Sequence, residues 1–152
     1  MIWSNTRGFV LANKSLKADI YAYLNAQSSL TALLDTNGIG WGQMPDTAVT
    51  KKMIVYSMIS DIRIDDDHSI STFRNQRWRF WICFPKTGTA PKDSALDCGN
   101  VLLDVLNNIS GTFGSTTVQY IINDSNQDPF FDTASNCYIV IQDYKIKMRT
   151  LE

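Results

Sequence analysis

The single histidine of this 152-residue chain, His68, directly follows three acidic residues, Asp65, Asp66 and Asp67. These residue types can bind a metal ion or act as a general base. Adjacent side chains on a loop do not converge on one point, however. The segment also lacks the glycine at position six and the glutamate at position twelve of a calcium-binding loop. We therefore predict a solvated or interface-forming loop, without a metal ion and without a cofactor.

The glycines of the Gly38-x-Gly40-x-Gly42 segment have a spacing similar to that of a phosphate-binding loop. Such a loop leaves a strand and begins a helix, so that the helix N–H groups face the phosphate. Here the segment leaves a helical pattern and leads to Met44-Pro45, which favours a flexible turn. No serine lies in a G-x-S-x-G motif, and no cysteine has an evident histidine partner. The sequence therefore predicts no catalytic residues, and the protein is expected not to be an enzyme.

The three cysteines, Cys83, Cys98 and Cys137, are far apart in the sequence and lie among apolar neighbours. None belongs to a C-x-x-C pair, which would favour a metal site or a redox site. We expect buried, reduced thiols.

Arg77, Arg79 and Trp81 alternate along one segment, so in a strand they share one face. Arginine and tryptophan are common anchors of protein interfaces. The alternative is a solvated face on which the arginine stems cover apolar neighbours. The acidic loop Asp65–Asp67 of a neighbouring subunit is a possible partner for these arginines. Sequence alone leaves the interface and the solvated face open.

The net charge of −1 provides no basic surface for nucleic acid. No segment approaches the roughly 20 apolar residues that span a bilayer, so no membrane association is expected. We expect one domain over residues 1–152, with residues 1–14 as an N-terminal arm. Because the arm carries Trp3 and Phe9 as well as other apolar residues, we expect it to pack on its own domain or on an adjacent subunit.

Hydrophobic periodicity predicts two helices, two strands, a helix and two further strands, in that order. The predicted elements are helices at 16–24, 30–34 and 93–109 and strands at 53–60, 75–84, 118–122 and 138–148, with a polar connection at 61–72. This order predicts an α+β fold with a mainly antiparallel four-stranded sheet and helices packed on one face. The predicted core comprises Trp78, Phe80, Ile82, Leu102, Leu106, Tyr120 and Val140.

Two further segments carry a resemblance that extends from about Leu16 to Met148. The Ile39–Pro45 segment lies between the helical region and the first strand, and Phe130-Phe131-Asp132 precedes a last strand that contains Asp143-Tyr144-Lys145-Ile146. In the order and spacing of its elements the chain resembles the tail terminators, or tail-completion proteins, of long-tailed bacteriophages.

This resemblance implies a structural virion protein that forms a homo-oligomeric ring, usually a hexamer, at the head-proximal end of the tail tube. The implied partners are the tail tube protein and the head-completion or connector protein, with DNA only passing through the ring. The protein would assemble in the host cytoplasm and reside in the virion. The alternatives are another neck or baseplate adaptor, a tube-like subunit, and a small-ligand-binding or hydrolase domain. The candidate interface residues are Trp3, Phe9, Asp65, Asp66, Asp67, Arg77, Arg79 and Trp81.

Overall fold

The computed structural model describes residues 16–64, 71–113 and 116–151. The N-terminal arm with Trp3 and Phe9, and the acidic loop Asp65–Asp67, lie outside the described residues. The helices are α1 (16–25), α2 (Ser28–Thr31) and α3 (Pro91–Leu106). The strands are β1 (Ile39–Trp41), β2 (Met53–Ile64), β3 (Ser71–Pro85), β4 (Ile109–Phe113), β5 (Thr116–Asn126), β6 (Phe130–Asp132) and β7 (Cys137–Leu151).

In the described part of the chain the strands form one seven-stranded sheet in the order β1-β2-β3-β7-β5-β4, and β6 also pairs with β7. β1 runs parallel to β2, whereas the other pairs are antiparallel. The prediction of a mainly antiparallel four-stranded α+β fold is therefore wrong, because the chain is mostly sheet and the sheet is mixed. The strands β1 and β6, of three residues each, are too short for alternation of apolar residues to reveal them. β4 begins at Ile109, which the sequence assigns to the end of the helix at 93–109, whereas that helix ends at Leu106.

β1 corrects the interpretation of the glycine-rich segment as a turn. A side chain at Gly38 would approach the backbone oxygens of Asp35 and Lys52 to 2.8 Å, so only glycine fits where the chain enters this strand. The parallel pairing of Ile39 with Ile54 then places Trp41 opposite Tyr56. Gly38 thus permits close backbone packing, whereas a side chain at Gly40 would meet nothing within 4 Å, and no helix begins after the segment.

The long hairpin of β2 and β3 extends further than predicted. Residues Asp61 to Ile64, assigned to a polar connection by the sequence, continue β2, and β3 begins at Ser71. The polar side chains are accommodated by pairing across the hairpin: Arg74 Nε donates to Asp61 Oδ1 at 2.9 Å. A polar composition therefore did not end the strand here.

A first core lies between the helices and one face of the sheet. Leu16, Ile20 and Leu24 of α1 are fully buried, as the helical spacing predicts. The predicted core residues lie in this cluster except Tyr120, which is only partly buried. The pairing of β5 with β7 shifts register between Val118 and Tyr120, and such a bulge turns the following side chains to the other face.

Gly99 brings α3 close to the sheet, as expected from the sequence. A side chain at this position would meet Gln142 Nε2 at 3.0 Å and Val140 Cγ1 at 3.3 Å. Gln142 Nε2 instead donates to the Gly99 carbonyl at 2.8 Å, and the Tyr144 hydroxyl donates to Gln142 Oε1 at 2.7 Å. The buried glutamine is therefore hydrogen-bonded through both of its side-chain polar atoms.

A second core covers part of the opposite face of the sheet, which we call the outer face. Its buried residues are Val49, Val55, Trp81, Cys83, Cys137, Ile139 and Ile141, with Met44, Met53 and Phe130 packed against them. This core covers only one end of the outer face. The other end lies near the tip of the β2–β3 hairpin and presents polar and charged side chains.

Candidate assembly interface

The distal half of β2 is an exposed edge of the sheet. β1 pairs only with Ile54–Tyr56, and no other described strand pairs with β2 on that side. The side chains of Met58, Ile59 and Ile62 are exposed there, with Ile59 45% and Ile62 62% exposed. We call this segment, from Met58 to Ile62, the β2 edge.

The β2 edge combines unpaired backbone groups with exposed apolar side chains. A register shift against β3 lies between Met58 and Ser60, so Ile59 occupies a bulge without an opposite residue. Natural sheets protect an edge of this kind with charges, with proline or with a covering element, because it otherwise pairs with another chain. Here Met58, Ile59 and Ile62 are exposed and apolar, while Ser60 is exposed and polar and Asp61 pairs with Arg74. The β2 edge is therefore a described surface suited to receive a second chain.

A hollow of about 400 Å³ adjoins the β2 edge on the outer face. Its lining comprises Ser60, Ile62, Asn75, Gln76, Arg77, Tyr120 and Lys145, and we call it the Arg77 hollow. Two buried polar atoms in it, Arg77 Nε and Asn75 Oδ1, have no hydrogen-bond partner among the described residues. A buried unsatisfied polar group costs about 1–3 kcal/mol. Both atoms are shielded from solvent, so a partner reaches them only if the surrounding side chains move.

The charges around the Arg77 hollow are arranged about one carboxylate. Arg77 and Lys145 are directly opposite each other on β3 and β7, where two like charges repel. Asp124 of β5 forms ion pairs with both, contacting Arg77 through its Oδ2 and Lys145 through its Oδ1 at 3.3 Å. Both basic side chains remain partly exposed, so these pairs contribute little to folding.

Arg79 is held differently from Arg77. It forms a two-armed ion pair with Asp143, its cross-strand neighbour on β7, with distances of 2.8 Å from Nε to Oδ1 and 3.0 Å from Nη2 to Oδ2. Asp143 is only 5% exposed, and the Ser125 hydroxyl also donates to it at 3.4 Å. Hydrogen bonding to Asp143 raises the pKa of Arg79. Arg79 therefore compensates a buried carboxylate of its own chain.

The three described residues predicted at an interface, Arg77, Arg79 and Trp81, lie on the outer face but in different environments. Trp81 is 7% exposed and belongs to the second core, so the chain itself already covers it. Arg79 has its partner within the chain, and Arg77 alone retains a buried atom without a partner among the described residues. Their assignment to an interface stays a prediction. The other candidates, Trp3, Phe9, Asp65, Asp66 and Asp67, lie outside the described residues.

Sequence reasoning missed Met58, Ile59 and Ile62. The predicted strand at 53–60 contains the apolar pair Met58-Ile59 but does not indicate that these side chains are exposed. The signal that could have found it is the break in alternation after Ser57, since two consecutive exposed apolar residues are typical of a bulge at an edge.

The three cysteines are buried thiols. Hydrogen bonding with Cys83 lowers the pKa of Cys137, whereas the contact with Cys137 raises the pKa of Cys83. Ser135 Oγ lies 3.1 Å from Cys137 Sγ and 2.5 Å from the Asp132 carboxylate. Burial raises the pKa of Cys98 to about 12. All three cysteines are free and fully buried, as the sequence predicted, so a substrate has no access to the sulfur atoms.

Across residues 16–64, 71–113 and 116–151, no group of three or more histidine, cysteine, aspartate or glutamate side chains is placed to hold a metal ion. None of the helices in this part of the chain is long and apolar enough to cross a membrane.

The fold is shared with a virion component. No protein-family model matches the chain, and no curated protein matches it either. Among solved structures, it is similar to a chain of the "Virion of native gene transfer agent (GTA) particle", with a TM-score of 0.63 and 12% sequence identity. The similarity covers 88% of this chain and 94% of that chain. At this level of identity the likeness shows a common fold.

Proposed function

We propose that this protein is a structural subunit of a phage-like virion, and that it acts as a tail terminator at the head-proximal end of the tail tube. The observation that carries the proposal is the fold shared with a gene transfer agent virion chain over nearly the whole length of both chains. The resemblance of the sequence to tail terminators supports the specific position in the virion. The role consists of binding alone, with the tail tube on one side and the head connector on the other.

The β2 edge supports assembly as the mode of action. A ring is closed by head-to-tail contacts, so each subunit must offer two different surfaces. The sheet order places the β2 side and β4 at opposite ends of the sheet. We infer that the β2 edge forms one contact, and the edge of β4 is the candidate for the other. Pairing of the edges would satisfy backbone groups and would cover the apolar side chains of the β2 edge at the same time.

The Arg77 hollow supports the same contact. Because Ile62 belongs both to the β2 edge and to the lining of the hollow, a neighbour that covers one also reaches the other. An acceptor on that neighbour would contact the exposed part of the Arg77 guanidinium group, because the side chain is 40% exposed although its Nε is buried. The hollow thus adds directional hydrogen bonds to an apolar contact, which favours one register over others.

The test is the assembly state of the purified protein, measured by size-exclusion chromatography with light scattering and by negative-stain electron microscopy. The proposal predicts closed rings that bind to one end of purified tail tubes. Closed rings that do not bind tubes would support another neck or baseplate adaptor, and open polymers would support a tube-like subunit. A protein that stays monomeric at high concentration and with tail tubes present would contradict an assembly role.

A further inference from the structure

A groove of about 550 Å³ lies on the helix side of the sheet, whereas the Arg77 hollow lies on the outer face. It is lined by Lys17, Ala18, Tyr21, Trp41 and Tyr56, and we call it the Trp41 groove. Two large aromatic side chains, Tyr21 and Trp41, are exposed in it, with Trp41 40% exposed. Exposed aromatic side chains that line one concave surface are typical of a binding site for an apolar segment.

The Trp41 groove is built from rigid contacts. The Trp41 ring packs edge-on against Tyr56 at 5.5 Å and against Trp78 at 5.3 Å. Lys17 Nζ lies 4.7 Å from the centre of the Trp41 ring, and the Tyr56 hydroxyl donates to the Lys17 carbonyl at 3.2 Å. The exposed aromatic surface is therefore held in place before any ligand arrives, which lowers the entropic cost of binding.

We propose that the Trp41 groove binds the apolar segment Phe9-Val10-Leu11 of its own chain. The described chain starts at residue 16, and the groove is lined by Lys17, Ala18 and Tyr21 in the first turns of α1. Leu11 is six residues from Lys17, and six residues of fully extended chain reach at most ~20 Å. The segment is therefore close enough in the chain to reach the groove. This proposal does not rest on the role in a virion, and it narrows the expectation that the arm packs on its own domain or on an adjacent subunit.

The choice of the same chain over a second copy follows from concentration. A short flexible connection gives an effective concentration on the order of millimolar. For the unassembled subunit at micromolar concentration, the segment of a second copy is therefore about a thousandfold less concentrated at the groove. Weak contacts between Phe9 and the aromatic rings suffice for binding within one chain, whereas binding between chains would require a much tighter site.

Acrylamide quenching of tryptophan fluorescence tests the proposal in the full-length protein. Trp3→Phe serves as the parent, because Trp78 is 1% and Trp81 7% exposed, so quenching then reports mainly on Trp41. The variant Phe9→Ser, Val10→Ser, Leu11→Ser in this parent should show a higher quenching constant and emission at longer wavelength. The matched control is Ser4→Ala, Asn5→Ser, Asn13→Ser, which changes three polar residues of the same arm and should quench like the parent.

Three results would overturn the proposal. The first is equal quenching of the apolar variant and the parent, and the second is a difference that persists after Trp41→Phe. The third is quenching of the parent that rises on dilution, because dilution releases a segment from a second copy but not from the same chain. If the apolar variant does not fold, NOEs in a parent with selectively labelled phenylalanine and tryptophan decide between the outcomes: contacts between the Phe9 and Trp41 rings are expected, and their absence contradicts the proposal.

Discussion

Replacing Ile59 and Ile62 by lysine should separate assembly from folding. Both side chains are already about half exposed or more in the subunit, 45% and 62%, so the substitution removes little buried surface from the folded subunit. Surface substitutions of this kind change the free energy of unfolding by about 0.5 kcal/mol or less. Full burial of an isoleucine contributes about 1.5–3 kcal/mol, so covering the exposed half of both side chains at a contact contributes about 1.5–3 kcal/mol in total. The subunit dissociation constant should therefore increase by about 10-fold to 150-fold.

The assay is a dilution series followed by light scattering for assembly, together with urea unfolding of the dissociated subunit. Leu96→Lys is the matched control, because Leu96 is also an exposed apolar residue, 41% exposed, but lies on α3 away from the edge. Unchanged assembly of the double variant, or an equal loss in the control, would refute the contact at the β2 edge. A large loss of subunit stability would contradict the exposure on which the argument depends.

Two further substitutions test the fold. Leu102→Ala should lower the free energy of unfolding by about 2–5 kcal/mol in a urea titration, since Leu102 is fully buried between α3 and the sheet, and a loss below about 0.5 kcal/mol would contradict that position. Arg79→Met should cost about 1.5–3 kcal/mol because it leaves the buried Asp143 carboxylate without its charged partner. Arg77→Met should cost less than about 1 kcal/mol, since its ion pair is partly exposed, and equal losses for Arg77 and Arg79 would show that burial does not distinguish them.

The long elements of the fold could be predicted from the sequence because each has its own local pattern. Leu16, Ile20 and Leu24 recur at helical spacing, and all three are buried on one side of α1. The alternation of Trp78 and Phe80 with the arginines likewise predicted β3 and the two faces of that strand. Hydrophobic periodicity is a local property of the sequence. It therefore predicts an element correctly where that element is long enough to contain several repeats of the pattern.

The number of strands could not be predicted, since it depends on pairing between distant segments. β1 contains one residue on either side of Gly40 and becomes a strand only because β2 lies beside it. Tyr120 was assigned to the core by simple alternation, and the bulge in β5 that turns it outward has no signature in the sequence around it. The same limit applies to the candidate interface, because the exposure of Ile59 and Ile62 depends on where β1 ends.

The location of the protein in the particle tests the central claim most directly. Gold-labelled antibodies raised against the purified protein would be applied to phage-like particles from cells that carry its gene, and the particles imaged by electron microscopy. A tail terminator predicts label confined to the junction of head and tail. Two controls show that the protein is present in the same lysate and that the antibodies recognise it in denatured particles. With both controls positive, particles without label at that junction would contradict the proposed role.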